Sequence, residues 1–150
     1  MPLTAATVVV PIDFSEESPP AIAAALNVAA GPGCLHLVHV MPPLETMSPG
    51  FLVGDITDES RRQKVTAALR KLAADAGAGE ATLAALIGTP GLEITDYARR
   101  QRADLIVIPS HGYHGVKRLF LGSVAERVIR HASCDVLVIR RRDAEQPTDR

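Results

Sequence analysis

The chain has 150 residues, 47% of them hydrophobic, which is the size of one globular domain with a full core and leaves little for a second. Sixteen basic residues against 17 acidic ones give a net charge of −1, and only three Phe and two Tyr are available for stacking. Neither a nucleic-acid groove nor a patch for an acidic membrane is supported.

The start of the chain, MPLTAATVVVPIDFSEES, lacks a basic leader, and Pro11 and Asp13 break its apolar run. Neither a signal peptide nor a membrane span is expected there, so the expected location is cytoplasmic. Residues 7–12 (TVVVPI) form a short β-branched run of the kind buried in a parallel sheet. Ser18 is placed to cap a helix with Pro19 in its first turn, running through AIAAALNVAA to Gly31.

Residues 34–41 (CLHLVHVM) read as a second strand, on which His36 and His39 leave opposite faces and cannot share an ion. Residues 42–55 carry three Pro and two Gly without periodicity, which predicts a loop long enough to be a lid or a partner surface. A helix follows from Thr57 to about Gly77, with Val65, Leu69 and Leu72 on one stripe. Residues 81–87 (ATLAALI) are a weaker third strand. Gly88-Thr89-Pro90 ends it and opens a helix with Leu92, Ile94, Tyr97 and Ala98 on or near the inner face.

Residues 104–140 then read as a fourth strand (104–108), a Gly-punctuated loop, a helix (123–131) and a fifth strand (135–140). A strand, a loop able to press its backbone against a ligand and a helix N-terminus together form an anion cradle. Ser123 and Glu126 have the spacing of a capping box, and Gly122 before them lets another group come close. The domain is expected to end near residue 142, with 143–150 a polar tail.

Strands that are apolar throughout, alternating with helices, predict an α/β domain whose parallel sheet is covered on both faces. Right-handed crossovers leave two common doubly wound orders, 3-2-1-4-5 and 2-1-3-4-5. In the first, the ligand crevice lies between strands one and four, where Asp13 and the turn from Ser110 to Gly112 face each other.

These residues resemble the universal stress protein family over nearly the whole chain. The resemblance is carried by VVPIDFSEES, by HLVHV, by Gly88-Thr89-Pro90, and by a loop in which Gly112, nine residues and then Gly122-Ser123 match the family's nucleotide-binding signature. The first glycine of that signature is replaced by Pro109, which has a fixed φ and no N–H. One lost bond to a charged group lowers affinity by roughly ten- to a hundredfold.

The resemblance implies a Rossmann-like fold of the adenine nucleotide alpha hydrolase type, strand order 3-2-1-4-5, and ATP lying across strands one and four. It places the phosphates on Gly112, Gly122, Ser123 and the Val124 amide, beside Pro109 and His111. Asp13, next to Pro11, falls near the ribose or a phosphate-bound Mg²⁺, and Val40 and Met41 line the adenine. It further implies a homodimer through the fifth strand, a regulatory role in stress response with an unidentified protein partner, and at most slow ATP hydrolysis.

Competing readings stand beside these. Asp13 has local partners in Ser15 and Ser18, Ser123 has its helix to cap, and Lys117 and Arg118 suit a solvated loop as well as a phosphate. Arg140, Arg141 and Arg142 are also suited to guard the strand edge against pairing. With Pro109 the cradle is equally read as vestigial, in a dimer that binds a partner and no nucleotide. His111 and His114 have no Cys, Asp or Glu at ligand spacing, so they are not read as a metal site. No nucleophile elbow, paired catalytic carboxylates or P-loop Lys is present. In the implied order the strands begun by Cys34 and Cys134 lie about 14 Å apart, too far for a disulfide, so two buried thiols are expected.

Overall fold

Three consecutive valines followed by a proline make the central strand β1 (Val8–Pro11), and alternation splits them between two cores. The computed structural model describes residues 4–44, 56–111 and 121–140. Within them the chain continues through α1 (Ser18–Val28), a 3₁₀ turn (Pro32–Cys34), β2 (Leu35–Met41), α2 (Asp58–Asp75), β3 (Thr82–Ile87), α3 (Pro90–Arg100), β4 (Leu105–Pro109), α4 (Ser123–His131) and β5 (Asp135–Ile139). The five strands are all parallel, in the order β3-β2-β1-β4-β5.

The sheet separates two hydrophobic cores. Val8, Val10, Leu35, Leu37, Leu105 and Val107 pack under Ile22 and Ala25 of α1 and Leu69 and Ala73 of α2. On the other face Val9, Val38, Ile106 and Ile108 meet Ile94, Tyr97 and Ala98 of α3 and Ala125 and Val128 of α4. Each Val, Leu or Ile removed from water here stabilises the fold by about 1.5–3 kcal/mol. Leu92 departs from the expected inner face of α3, being 45% exposed one position beyond Gly91, which packs against Arg127.

Three local expectations are corrected by the hydrogen bonds these segments make. Ser18 does not cap α1. Glu17 is the cap position, and the Ser18 hydroxyl instead donates to Asp13 Oδ1 at 3.2 Å. The same helix stops at Val28 rather than running to Gly31, because residue 5 pulls the next residues into a bridge. Ala5 N donates to Val28 O at 2.8 Å and Ala30 N to Ala5 O at 2.9 Å.

Ser123 does not cap α4 either. Gly122 occupies the cap, the first helical bond runs from Glu126 N to Gly122 O, and the Glu126 carboxylate reaches forward to accept from Arg130 at 2.7 Å. The capping box that does form is at α2, where Thr57 and Ser60 exchange side-chain to backbone bonds at 3.0 Å.

Pro109 lies inside β4, paired with Ile139, rather than beyond the strand. Ser110 N donates to Ile139 O at 2.8 Å, so by strand alternation the position of the missing Pro109 donor faces β1. Pairing of β4 with β1 ends at Ile106, and the proline therefore removes no ladder bond. Cys34 and Cys134 are both free and only half-buried. Burial together with Asp135 and Asp104 raises the Cys134 thiol pKa and keeps it protonated.

Candidate nucleotide site

The carboxyl ends of β1 and β4 diverge once their pairing stops at Ile106, and this is where the strand order reverses direction. Ser110 knots the β4 side together. It is 6% exposed, its amide goes to Ile139 O, and its carbonyl accepts Gly122 N at 2.7 Å. That last bond presses the start of α4 onto the end of β4. No side chain caps α4, so the amides of Ser123, Val124 and Ala125 have no intrahelical acceptor. With the helix dipole behind them, they offer positive charge to an anion.

His111 supplies a second signal. Its Nδ1 lies 3.0 Å from Ser110 Oγ, while its Nε2 is buried without a hydrogen-bond partner. Such an orphan costs about 1–3 kcal/mol. With the Ser110 hydroxyl donating to Nδ1, the proton sits on Nε2, a donor suited to an oxyanion. Among the described residues no other buried side-chain nitrogen or oxygen is left so.

On the β1 side Asp13 is exposed, and its Oδ1 accepts from Ser15 N at 2.9 Å and from the Ser18 hydroxyl. The carboxylate thus holds the entry to α1 with one oxygen. Pro11 is half-buried opposite Val38. Val40 packs into the α3/α4 core, Met41 is 4% exposed, and the Met41 carbonyl accepts Gly88 N at 2.9 Å. The side chains of Val40 and Met41 are thus engaged mainly by the protein's own packing. Ser123 is exposed and Val124 half-buried at the mouth. Gly112, His114, Lys117 and Arg118 lie outside the described residues, as do residues 45–55 of the expected loop, Arg141, Arg142 and the tail.

Sequence reading missed two residues here. Ser110 was seen only as part of a turn, although a small polar residue directly after an apolar strand is a usable signal. Phe14 was passed over. It has φ of 61°, a left-handed conformation costing a non-glycine residue about 1–2 kcal/mol. Its ring packs on His39 at 4.9 Å between centroids. Among the described residues no group of three His, Cys, Asp or Glu is placed to hold a metal, and no helix is long and apolar enough to cross a membrane.

The fold is that of a doubly wound α/β protein, with the uncapped start of α4 tied to the strand end at its switch point. The pattern of the Universal stress protein family matches residues 5–140, and the chain belongs to that family. It is 35% identical to universal stress protein MJ0531 of Methanocaldococcus jannaschii over 140 residues, covering 89% of this chain and 81% of that protein. The solved structure of universal stress protein UspA from Lactobacillus plantarum superposes with a TM-score of 0.70 at 25% identity, over 90% of this chain and 98% of that one.

Two further universal stress protein structures share the fold and carry nucleotides. One, in complex with cAMP, has a TM-score of 0.62 at 24% identity over 90% and 97% of the two chains. The other, from Archaeoglobus fulgidus in complex with dAMP, has a TM-score of 0.59 at 22% identity over 88% and 95%.

Proposed function

We propose that this universal stress protein binds an adenine nucleotide, ATP with Mg²⁺ on its phosphates, in the crevice between β1 and β4. It works as a cytoplasmic, nucleotide-sensing dimer in stress response, not as an efficient enzyme. One observation carries the reading: the uncapped first turn of α4 is tied to the end of β4 by Gly122 N to Ser110 O, and His111, next in sequence to Ser110, has a buried Nε2 without a partner. The cAMP and dAMP complexes of related folds support an adenine nucleotide as the anion.

In this arrangement the α4 amides and His111 hold phosphate, and the free oxygen of Asp13 takes a ribose hydroxyl or the metal. On this reading the bound phosphate is held rather than cleaved.

Calorimetric titration with ATP and Mg²⁺ tests it. Heat is expected with wild-type protein, and absence of heat at millimolar nucleotide overturns the proposal. Gly122 has φ −61° and ψ 153°, which any residue adopts, so Gly122→Val keeps the backbone while crowding the amides. That variant is expected to lose at least about tenfold in affinity, the value of one charge-assisted hydrogen bond.

Pro109 favours a second reading, an interaction dimer that binds no nucleotide. The amide it removes would have faced the crevice, so the cradle has one donor fewer. Capture of the same partner from lysate with and without ATP separates the two, since dependence on ATP excludes a vestigial cleft.

A further inference from the structure

Ile12 follows β1, and its amide donates to Val38 O at 2.8 Å, so the backbone groups of Val38 point toward β1. Two residues on, those of Val40 point the same way. In a parallel ladder the next rung would run from Val40 N to the Ile12 carbonyl, yet pairing of β1 with β2 stops at Pro11 and Val38. The carbonyl is taken instead by the side chain of His39, whose Nδ1 lies 2.7 Å away. A carbonyl only accepts, so Nδ1 carries the proton.

Three contacts hold this diversion in place. His39 leaves β2 on the same face as Leu37, which packs under α1 and α2, so the carbonyl it holds is drawn out of the plane of the sheet. Phe14, at φ 61°, packs its ring on the imidazole at 4.9 Å between centroids. Asp13, between Ile12 and Phe14, is anchored by Ser15 N and the Ser18 hydroxyl, which turns the chain toward α1. Val40 N is thereby left without its ladder acceptor over the end of β1. A backbone donor is rarely left unpaired in a sheet without a use for it. Strands β2 and β4 flank β1, so a nucleotide with its phosphate on α4 and its length across β1 brings its nucleoside part to that amide. We infer that His39 is a positioning residue: by holding the Ile12 carbonyl it keeps the Val40 amide free to donate to the nucleoside part of the ligand. This rests on the nucleotide reading above and adds to it the residue that keeps this donor available.

The test uses two variants, each checked for an unchanged circular dichroism spectrum. His39→Leu removes the side-chain donor, and His39→Asn keeps one, its amide nitrogen standing where Nδ1 does. Hydrogen exchange of the Val40 amide is followed by NMR without ligand, and calorimetry then compares ATP with inorganic tripolyphosphate, which has the charge and no nucleoside. In His39→Leu the Ile12 carbonyl is expected to pair with Val40 N, slowing exchange of that amide about tenfold, the worth of one hydrogen bond. ATP should bind to it about tenfold more weakly for the same reason, with tripolyphosphate affinity unchanged. His39→Asn should stay near wild type in both measurements. Val40 exchange or ATP affinity unaltered in His39→Leu, equal loss of both ligands, or an asparagine variant that behaves like the leucine one overturns the inference while leaving nucleotide binding intact. Wild-type protein that binds neither ligand overturns both.

Discussion

His36 lies on β2 with its Nδ1 2.8 Å from the Tyr97 hydroxyl, the two rings edge-on at 5.8 Å. Burial lowers the His36 pKa, and burial raises that of Tyr97 against the pull of Arg100. The sign of the pH effect follows. Below pH about 6.5 the unfolded chain takes up a proton that the folded His36 resists, so this stability is present above that pH and lost as acid is added. Melting temperature should fall between pH 7.5 and 5, and His36→Gln, which keeps a partner for Tyr97, should flatten that slope. An unchanged slope removes His36 from the account. At this scale the sequence was partly legible. The opposite faces of His36 and His39 followed from strand alternation, and they hold, one reaching Tyr97 and the other the Ile12 carbonyl. Ser18 and Ser123 were misread as caps because their neighbours looked right locally, while Asp13 and the Ser110 knot decided where each helix begins.

Helices α3 and α4 cross where Gly91 meets Arg127. A Cβ on Gly91 would stand 2.8 Å from Arg127 Cβ and 2.6 Å from its Cδ. Alanine at this helical position gains about 1 kcal/mol of propensity, yet the clash involves the root of the arginine side chain, which cannot swing away. Gly91→Ala is therefore expected to destabilise by about 1–2 kcal/mol net, and Gly91→Leu more, read by urea unfolding; a more stable alanine variant refutes the tight crossing. Gly88, after β3, has φ of 146°, and Glu93 fills the space a side chain would need. The sequence placed Gly88-Thr89-Pro90 correctly as a strand stop and helix start, because those residue types act through their own φ and missing donors. Gly91 carried no such signal, since its constraint comes from another helix.

Strand β5 leaves one edge of the sheet unpaired within the described chain. Ile139 bonds toward β4, so alternation turns the amides of Val136 and Val138 outward. If the proposed homodimer forms through this edge, native mass spectrometry shows twice the chain mass, and Val138→Pro removes an outward donor without touching the β4 ladder. That variant should run as a folded monomer. A dimer that survives it is built on another surface.

The alternation of apolar strands with helices, the near-neutral charge and the turn residues were sufficient to specify a doubly wound sheet, since periodicity and backbone preference act over a few residues. The family resemblance added the strand order. Tertiary structure alone decided where α1 stops, why Pro109 is harmless to the ladder, which residue caps α4, and how Phe14 comes to be held at positive φ. Each of these depends on a hydrogen bond or packing contact between segments far apart in the chain, and such contacts leave no periodic trace in the residues beside them.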